Sequence, residues 1–179
     1  MLAGGNPLRN FDSIQTVTVG SGGQATITFS SIPATYTHLQ IRFMCRDVSA
    51  GTGADDIVLR FNGDTASNYT FHYLYGIGGA TYGSAGSATQ TSIRGGVDVQ
   101  GGVTAGVFGV NVTDILDYAN TNKYKTTRNI GGNDRNGAGS AVLYSGLWRS
   151  TSAITSITLA VSGAVNWAQY SSFALYGIK

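Results

Sequence analysis

This sequence predicts an all-β fold: an antiparallel β-sandwich, jelly-roll-like, with about ten strands. Three observations carry that expectation. Apolar and polar residues alternate with a period of two along most of the chain, turn residues recur roughly every 8–12 positions, and no segment repeats convincingly at helical spacing. At 179 residues the chain is expected to form one domain over 13–179, preceded by an arm over 1–12.

The alternation is clearest from Tyr36 to Arg46. Leu39, Ile41, Phe43 and Cys45 share one parity, and His38, Gln40, Arg42 and Arg46 share the other. This segment is expected to be the central strand. Before it, the arm Met1–Asp12 is rich in Gly and Asn, with Leu8 and Phe11 as apolar anchors. Ser13–Val19 and Gln24–Ser30 alternate in the same way. Gly20-Ser21-Gly22-Gly23 between them reads as the turn of a first hairpin, since positive φ is cheap only for Gly. Pro33 ends the second segment, because it lacks the N–H that a central ladder uses.

Ile57, Leu59 and Phe61 share a face within Asp56–Asn62, and Asn62-Gly63-Asp64 turns the chain. Tyr69, Phe71, Tyr73 and Tyr75 then form an aromatic row; such a row packs in a core or subunit interface, or stacks on a sugar. Gly76–Thr91 is dominated by Gly, Ala, Ser and Thr, has little to bury, and reads as an exposed loop. Ile93–Val99 is a weak strand. A long strand from Thr104 is expected to bury Phe108, Val110, Val112, Leu116 and Tyr118. Lys123-Tyr124-Lys125 reads as a solvated strand face, and Gly131–Gly139 as a second flexible loop. Val142, Tyr144 and Trp148, then Ile157, Leu159 and Val161, then Phe173, Leu175, Tyr176 and Ile178 mark the last three strands.

Charged residues make up 11% of the chain, under half of the usual 25% or so, and Glu is absent. Soluble monomers ordinarily carry many mixed surface charges, so a surface this poor in ions is expected to be covered by neighbours in an assembly. The net charge of +2 is small and the Arg and Lys residues are scattered, so no nucleic-acid partner is expected. No apolar run approaches the roughly 18 residues of a membrane helix, and Met1–Arg9 lacks the apolar core of a signal peptide, so no membrane partner is expected either. Cys45 is the only cysteine and lies in phase with core residues, which reads as a buried, inert thiol.

No catalytic residue, metal site or cofactor is expected. His38 and His72 are isolated from carboxylates and thiols at ligand spacing; there is no Gly-x-Ser-x-Gly and no phosphate-cradling Gly motif. Asp55, Asp56, Asn62 and Asp64 would hold calcium only if two loops met, and they lack the ordered spacing of a calcium loop. Asn68-Tyr69-Thr70 and Asn111-Val112-Thr113 match the glycosylation sequon.

Three segments taken together resemble a group of tailed-bacteriophage virion proteins of β-sandwich type. They are Arg60–Thr65 with Asn68–Leu74, Asp117–Lys125, and Leu147–Ile154 with the terminal Ser172–Lys179, in which Leu175-Tyr176-Gly177-Ile178 is the most recurrent piece. The resemblance runs from about Ser13 to Lys179. It implies a structural virion component, assembled in the host cytoplasm: a capsid decoration (cement) protein, homotrimeric, that binds the major capsid protein and stabilises the head shell. Leu8, Arg9 and Phe11 of the arm are the candidate partner-binding residues on that reading. The alternative within the same group is a tail or fibre module that binds host-surface glycan, with Tyr69, Tyr73, Tyr75, Tyr82 and the Gly131–Gly139 segment as candidate contacts.

Overall fold

A computed structural model describes residues 10–79 and 81–179. The described chain is all-β, with twelve strands in two antiparallel sheets rather than about ten. In chain order they are β1 (Phe11–Thr18), β2 (Thr26–Phe29), β3 (His38–Cys45), β4 (Asp56–Phe61), β5 (Tyr69–Ile77) and β6 (Thr81–Gln90). Then follow β7 (Ile93–Val97), β8 (Gly109–Leu116), β9 (Lys125–Asp134), β10 (Gly139–Trp148), β11 (Ile157–Val161) and β12 (Ser172–Ile178). The larger sheet runs β1-β12-β3-β8-β9-β10-β5-β6 and the smaller β2-β11-β4-β7.

Four strand pairs are nested: β1 with β12, β2 with β11, β3 with β8, and β4 with β7. The hairpins β5–β6 and β9–β10 are inserted into this nest and extend the larger sheet. The segments expected to form a first hairpin are indeed strands, but they do not pair with each other. The Gly20–Gly23 turn carries the chain from one sheet to the other, since β1 pairs β12 and β2 pairs β11. Alternation reports which face a strand buries; it carries no information on which strand lies beside it.

The core follows the expected phases. Leu39, Ile41, Phe43 and Cys45 of β3 face Ile57, Leu59 and Phe61 of β4 and Ile157, Leu159 and Val161 of β11, all buried. Each such side chain contributes roughly 1.5–3 kcal/mol by leaving water. Phe173 lies between Phe43 and Trp167, with ring centroids at 5.5 and 5.1 Å. Burial pushes the Cys45 thiol well above its ordinary pKa, which leaves it protonated.

Three segments depart from the sequence reading, each for a physical reason. First, most of Gly76–Thr91 is strand and not loop: Gly76 and Ile77 end β5, and β6 pairs back along β5 from Ile77–Thr81 to Tyr69–Gln90. Small residues suit it because an edge strand has less to bury. Second, Gly131–Gly139 is the tip of the β9–β10 hairpin, closed at Asn136-Gly137 with both residues at positive φ (62° and 98°). Asn-Gly at that spacing is the strongest short-range signal for a two-residue hairpin turn. Third, β8 is inverted relative to expectation. Asn111, Thr113 and Ile115 point inward, while Val110 and Leu116 point out and Val112 is only half-buried.

The inversion has its cause in β7. Gly95 and Gly96 bring bare backbone to the face between the sheets, and buried backbone groups must be paired. Asn111 does this twice, accepting from the Val97 N–H at 3.1 Å and donating to the Val97 carbonyl at 2.7 Å. Thr113 donates to the Gly95 carbonyl at 3.2 Å and accepts from Asn129 at 2.8 Å. Gly96, at φ 146°, and Gly131 leave room for the Asn111 amide; a Cβ on either would stand 2.3 or 2.1 Å from its oxygen. Burial of Asn111 also closes its glycosylation sequon to enzymes. Asn111→Ala should cost about 2–3 kcal/mol, because both Val97 groups lose their partner. Urea unfolding reads this as a lower midpoint at unchanged slope.

The arm boundary also moves. Phe11 and Asp12 already belong to β1, opposite Ile178 and Gly177. Lys125 is buried rather than solvated, its ammonium donating to the carbonyls of Asn120, Lys123 and Thr151 at 2.6, 2.9 and 3.1 Å.

Candidate functional site

The two inserted hairpins create two surfaces. On the inner side, the larger sheet extends past the smaller one, so β5 and β10 are left uncovered beyond β7. The result is a cleft of about 500 Å³. Tyr73 and Tyr75 of β5 and Tyr144 of β10 form its aromatic wall, with Tyr73 centroids 5.8 Å from Tyr75 and 5.5 Å from Tyr144. Alternation places these side chains inward, in phase with buried Val142, and Val97 of β7 completes the apolar floor.

Charged groups converge on this wall. The Arg94 guanidinium of β7 lies 4.9 Å from the Tyr73 ring centroid and 5.1 Å from that of Phe71. It also pairs with Asp56 Oδ2 at 2.8 Å, and the Tyr144 hydroxyl donates to Asp56 Oδ1 at 3.0 Å. Burial and the adjacent Asp56 carboxylate hold the Tyr144 hydroxyl well above the usual tyrosine pKa, so it remains a donor. Asp55 and Ser162 line one side and Arg135 and Ser140 the other. Arg135 donates to Asn133 at 2.7 Å, while its Nε is buried with no hydrogen-bond partner among the described residues.

On the outer side of the same sheet, apolar residues align in register across four adjacent strands. Leu74 of β5 lies opposite Leu143 of β10, Leu143 opposite Ile130 of β9, and Ile130 opposite Val112 of β8. In the next row Val110 lies opposite Met44 of β3. Apart from half-buried Val112, these residues are 40–64% exposed. Arg42 and the Arg128–Asp114 ion pair (2.6 Å) border the patch.

The expected site residues are thereby divided. Tyr73 and Tyr75 come together in the cleft. Tyr69 does not join them: it is fully buried, stacked on Trp148 at 6.3 Å, with its hydroxyl donating to the Asp64 carbonyl at 3.1 Å. Burial pushes that hydroxyl up to about 12. Tyr82 is 84% exposed and stands on the outer face, opposite Gly76. Leu8 and Arg9 lie outside the described residues. Phe11 sits on β1 with the Arg42 guanidinium 5.0 Å from its ring centroid.

Sequence reasoning missed Arg94, Tyr144, Asp56 and Arg135 as members of one site. Tyr144 was visible as an inward residue, but only the β5–β10 pairing brings it to Tyr73. Asp55 and Asp56 are separated from Asn62 and Asp64 by the length of β4, roughly 20 Å, so the four do not form one cage. Among the described residues, no group of three or more His, Cys, Asp or Glu is placed to hold a metal ion.

No known protein-family model matches the chain, and no curated protein resembles it at a significant level.

Proposed function

We propose that this chain is a structural component of a tailed-bacteriophage virion, a capsid decoration (cement) protein that associates as a homotrimer and fastens to the head shell. Catalysis plays no part in this reading. The nested strand pairs support it as a jelly roll, eight strands in two four-stranded halves, carrying two extra hairpins. The resemblance of the Asn68–Leu74, Asp117–Lys125 and Ser172–Lys179 segments supplies the virion context.

The observation that carries the proposal is the outward apolar row Leu74–Leu143–Ile130–Val112 with Val110 and Met44. Val112 apart, its residues are 40–64% exposed and form one contiguous patch, the kind of surface that marks an interaction site. Homo-oligomer interfaces are about 65% apolar, and an apolar row in register across four strands suits the centre of such a contact. A polar border at Arg42, Arg128 and Asp114 suits the rim of an interface.

A double variant, Ile130→Lys with Leu143→Lys, tests it. Both side chains point to solvent in the free chain, so folding should survive. Native mass measurement should show the parent chain as an oligomer and the variant as a monomer, and the variant should leave virion particles unoccupied. An unchanged mass and unchanged particle occupancy would sink the proposal.

The second reading, a tail or fibre module that binds host-surface glycan, draws on a different observation: the aromatic cleft on the opposite face of the same sheet.

A further inference from the structure

We propose that the cleft between β5, β7 and β10 binds a neutral saccharide, with Tyr75 as the stacking ring, Tyr73 as its support beneath Arg94, and Arg94, Asp55, Asp56 and Arg135 as hydroxyl partners. The site deepens the glycan-binding reading by naming its residues and its sugar class. It does not depend on assembly through the outer face.

A pyranose offers two chemistries: a C–H face that is apolar and a rim of hydroxyls that each donate and accept. Tyrosine rings match the first, and they do so without much loss of side-chain freedom. Charged planar groups match the second, because guanidinium and carboxylate bind neighbouring hydroxyls through two atoms at once. The cleft contains both sets on adjoining walls. Its volume of about 500 Å³ lies within the 300–1,000 Å³ or so of small-molecule sites.

Charge selects the class. Arg94 and Arg135 are balanced by Asp55 and Asp56, and Arg94 is already paired with Asp56 at 2.8 Å. The lining thus carries two carboxylates beside its two guanidiniums and no net positive charge to favour a phosphate or carboxylate ligand, whereas a neutral sugar requires none. The Tyr144–Asp56–Arg94 chain also fixes the polar groups before the ligand arrives, which lowers the entropy cost of binding. Arg135 also lines the cleft, with one end of its guanidinium held by Asn133 at 2.7 Å. Gly83 of β6 allows the platform: the Tyr75 ring lies across it, 2.9–3.1 Å from where a Cβ would stand.

The test uses the full chain and, in parallel, its monomeric Ile130→Lys/Leu143→Lys form. Maltotriose, cellotriose, lactose and chitobiose are titrated at millimolar concentrations by ligand-observed NMR, with sialyllactose as the anionic probe. Saturable binding of at least one neutral sugar is expected, equal in both forms, weakened about tenfold or more by Tyr75→Ala and unaffected by Tyr82→Ala. Gly83→Val, which drives the Tyr75 ring from its place, should weaken binding similarly and covers the case in which Tyr75→Ala fails to fold. Four results would overturn the proposal. They are no binding of any neutral sugar, binding of sialyllactose alone, binding indifferent to both Tyr75→Ala and Gly83→Val, or a change of oligomer mass with Tyr75→Ala that shows a second copy in the cleft. Loss of oligomerisation in the outer-face variant with sugar binding retained separates this site from the assembly reading.

Discussion

Above pH 8, Asp98→Asn should unfold at a distinctly higher denaturant concentration than the parent chain, and the difference should disappear near pH 4. Asp98 is fully buried, beside the equally buried Asp47. Its Oδ1 accepts from the Asp55 N–H at 2.8 Å, while its Oδ2 has no partner among the described residues. Burial, followed by the Asp47 and Asp55 carboxylates, pushes the Asp98 carboxyl up to about 8. An unfolded aspartate titrates near 3.9. Between these values the folded chain holds a proton that the unfolded chain releases. Stability from this group is therefore complete below about pH 4 and declines as pH rises towards 8, by something on the order of 5 kcal/mol. Asparagine keeps the acceptor for Asp55 and cannot ionise, so it removes the slope. Urea midpoints at acid, neutral and alkaline pH read the effect. A variant with the parent's pH profile would show that Asp98 is not the titrating group.

The second large effect is expected at Arg46. It follows the central strand β3 and is almost wholly buried. Nη1 donates to the carbonyls of Thr104 and Val107 at 2.9 and 3.1 Å, and Nη2 to those of Gly101 and Val103 at 2.6 and 2.5 Å. One guanidinium thus holds the connection between β7 and β8 in place, using side-chain hydrogen bonds along 101–107, where no residue is buried. Arg46→Met should cost about 3–5 kcal/mol, since four carbonyls lose a charged donor. Arg46→Lys should recover less than half of this, because an ammonium cannot serve two forks. Hydrogen exchange across 101–107 should rise in both variants. If lysine restored full stability, a buried positive charge rather than the fork geometry would be responsible.

Much of the fold was legible because parity is a local property. Leu39–Ile41–Phe43, Ile57–Leu59–Phe61 and Ile157–Leu159–Val161 each declare their buried face within a few residues. What escaped was non-local. The outward turn of Val110 and Val112 depends on the bare backbone of Gly95 and Gly96, which Asn111 and Thr113 must satisfy from across the sandwich. No count of apolar residues within β8 could announce this. The cleft escaped for the same reason. Tyr73 and Tyr75 were recognised as a row, yet Tyr69 of that row is core, and Arg94 and Tyr144 join only through tertiary pairing. The Asn136-Gly137 hairpin was a different failure, since a local signal was present and the surrounding glycines masked it.

The nesting of strand pairs has a kinetic consequence. β1 meets β12 only after nearly the whole chain has been made, and β2 meets β11 under almost the same constraint. Chains dominated by such distant contacts fold in milliseconds to seconds, far slower than helical bundles. The hairpins β9–β10 and β5–β6 are available long before, held together by short connections. The uncharged outer edge of β6 has no partner even in the finished sheet, and a chain that is still completing its distant pairs is most open to pairing there with another copy of itself.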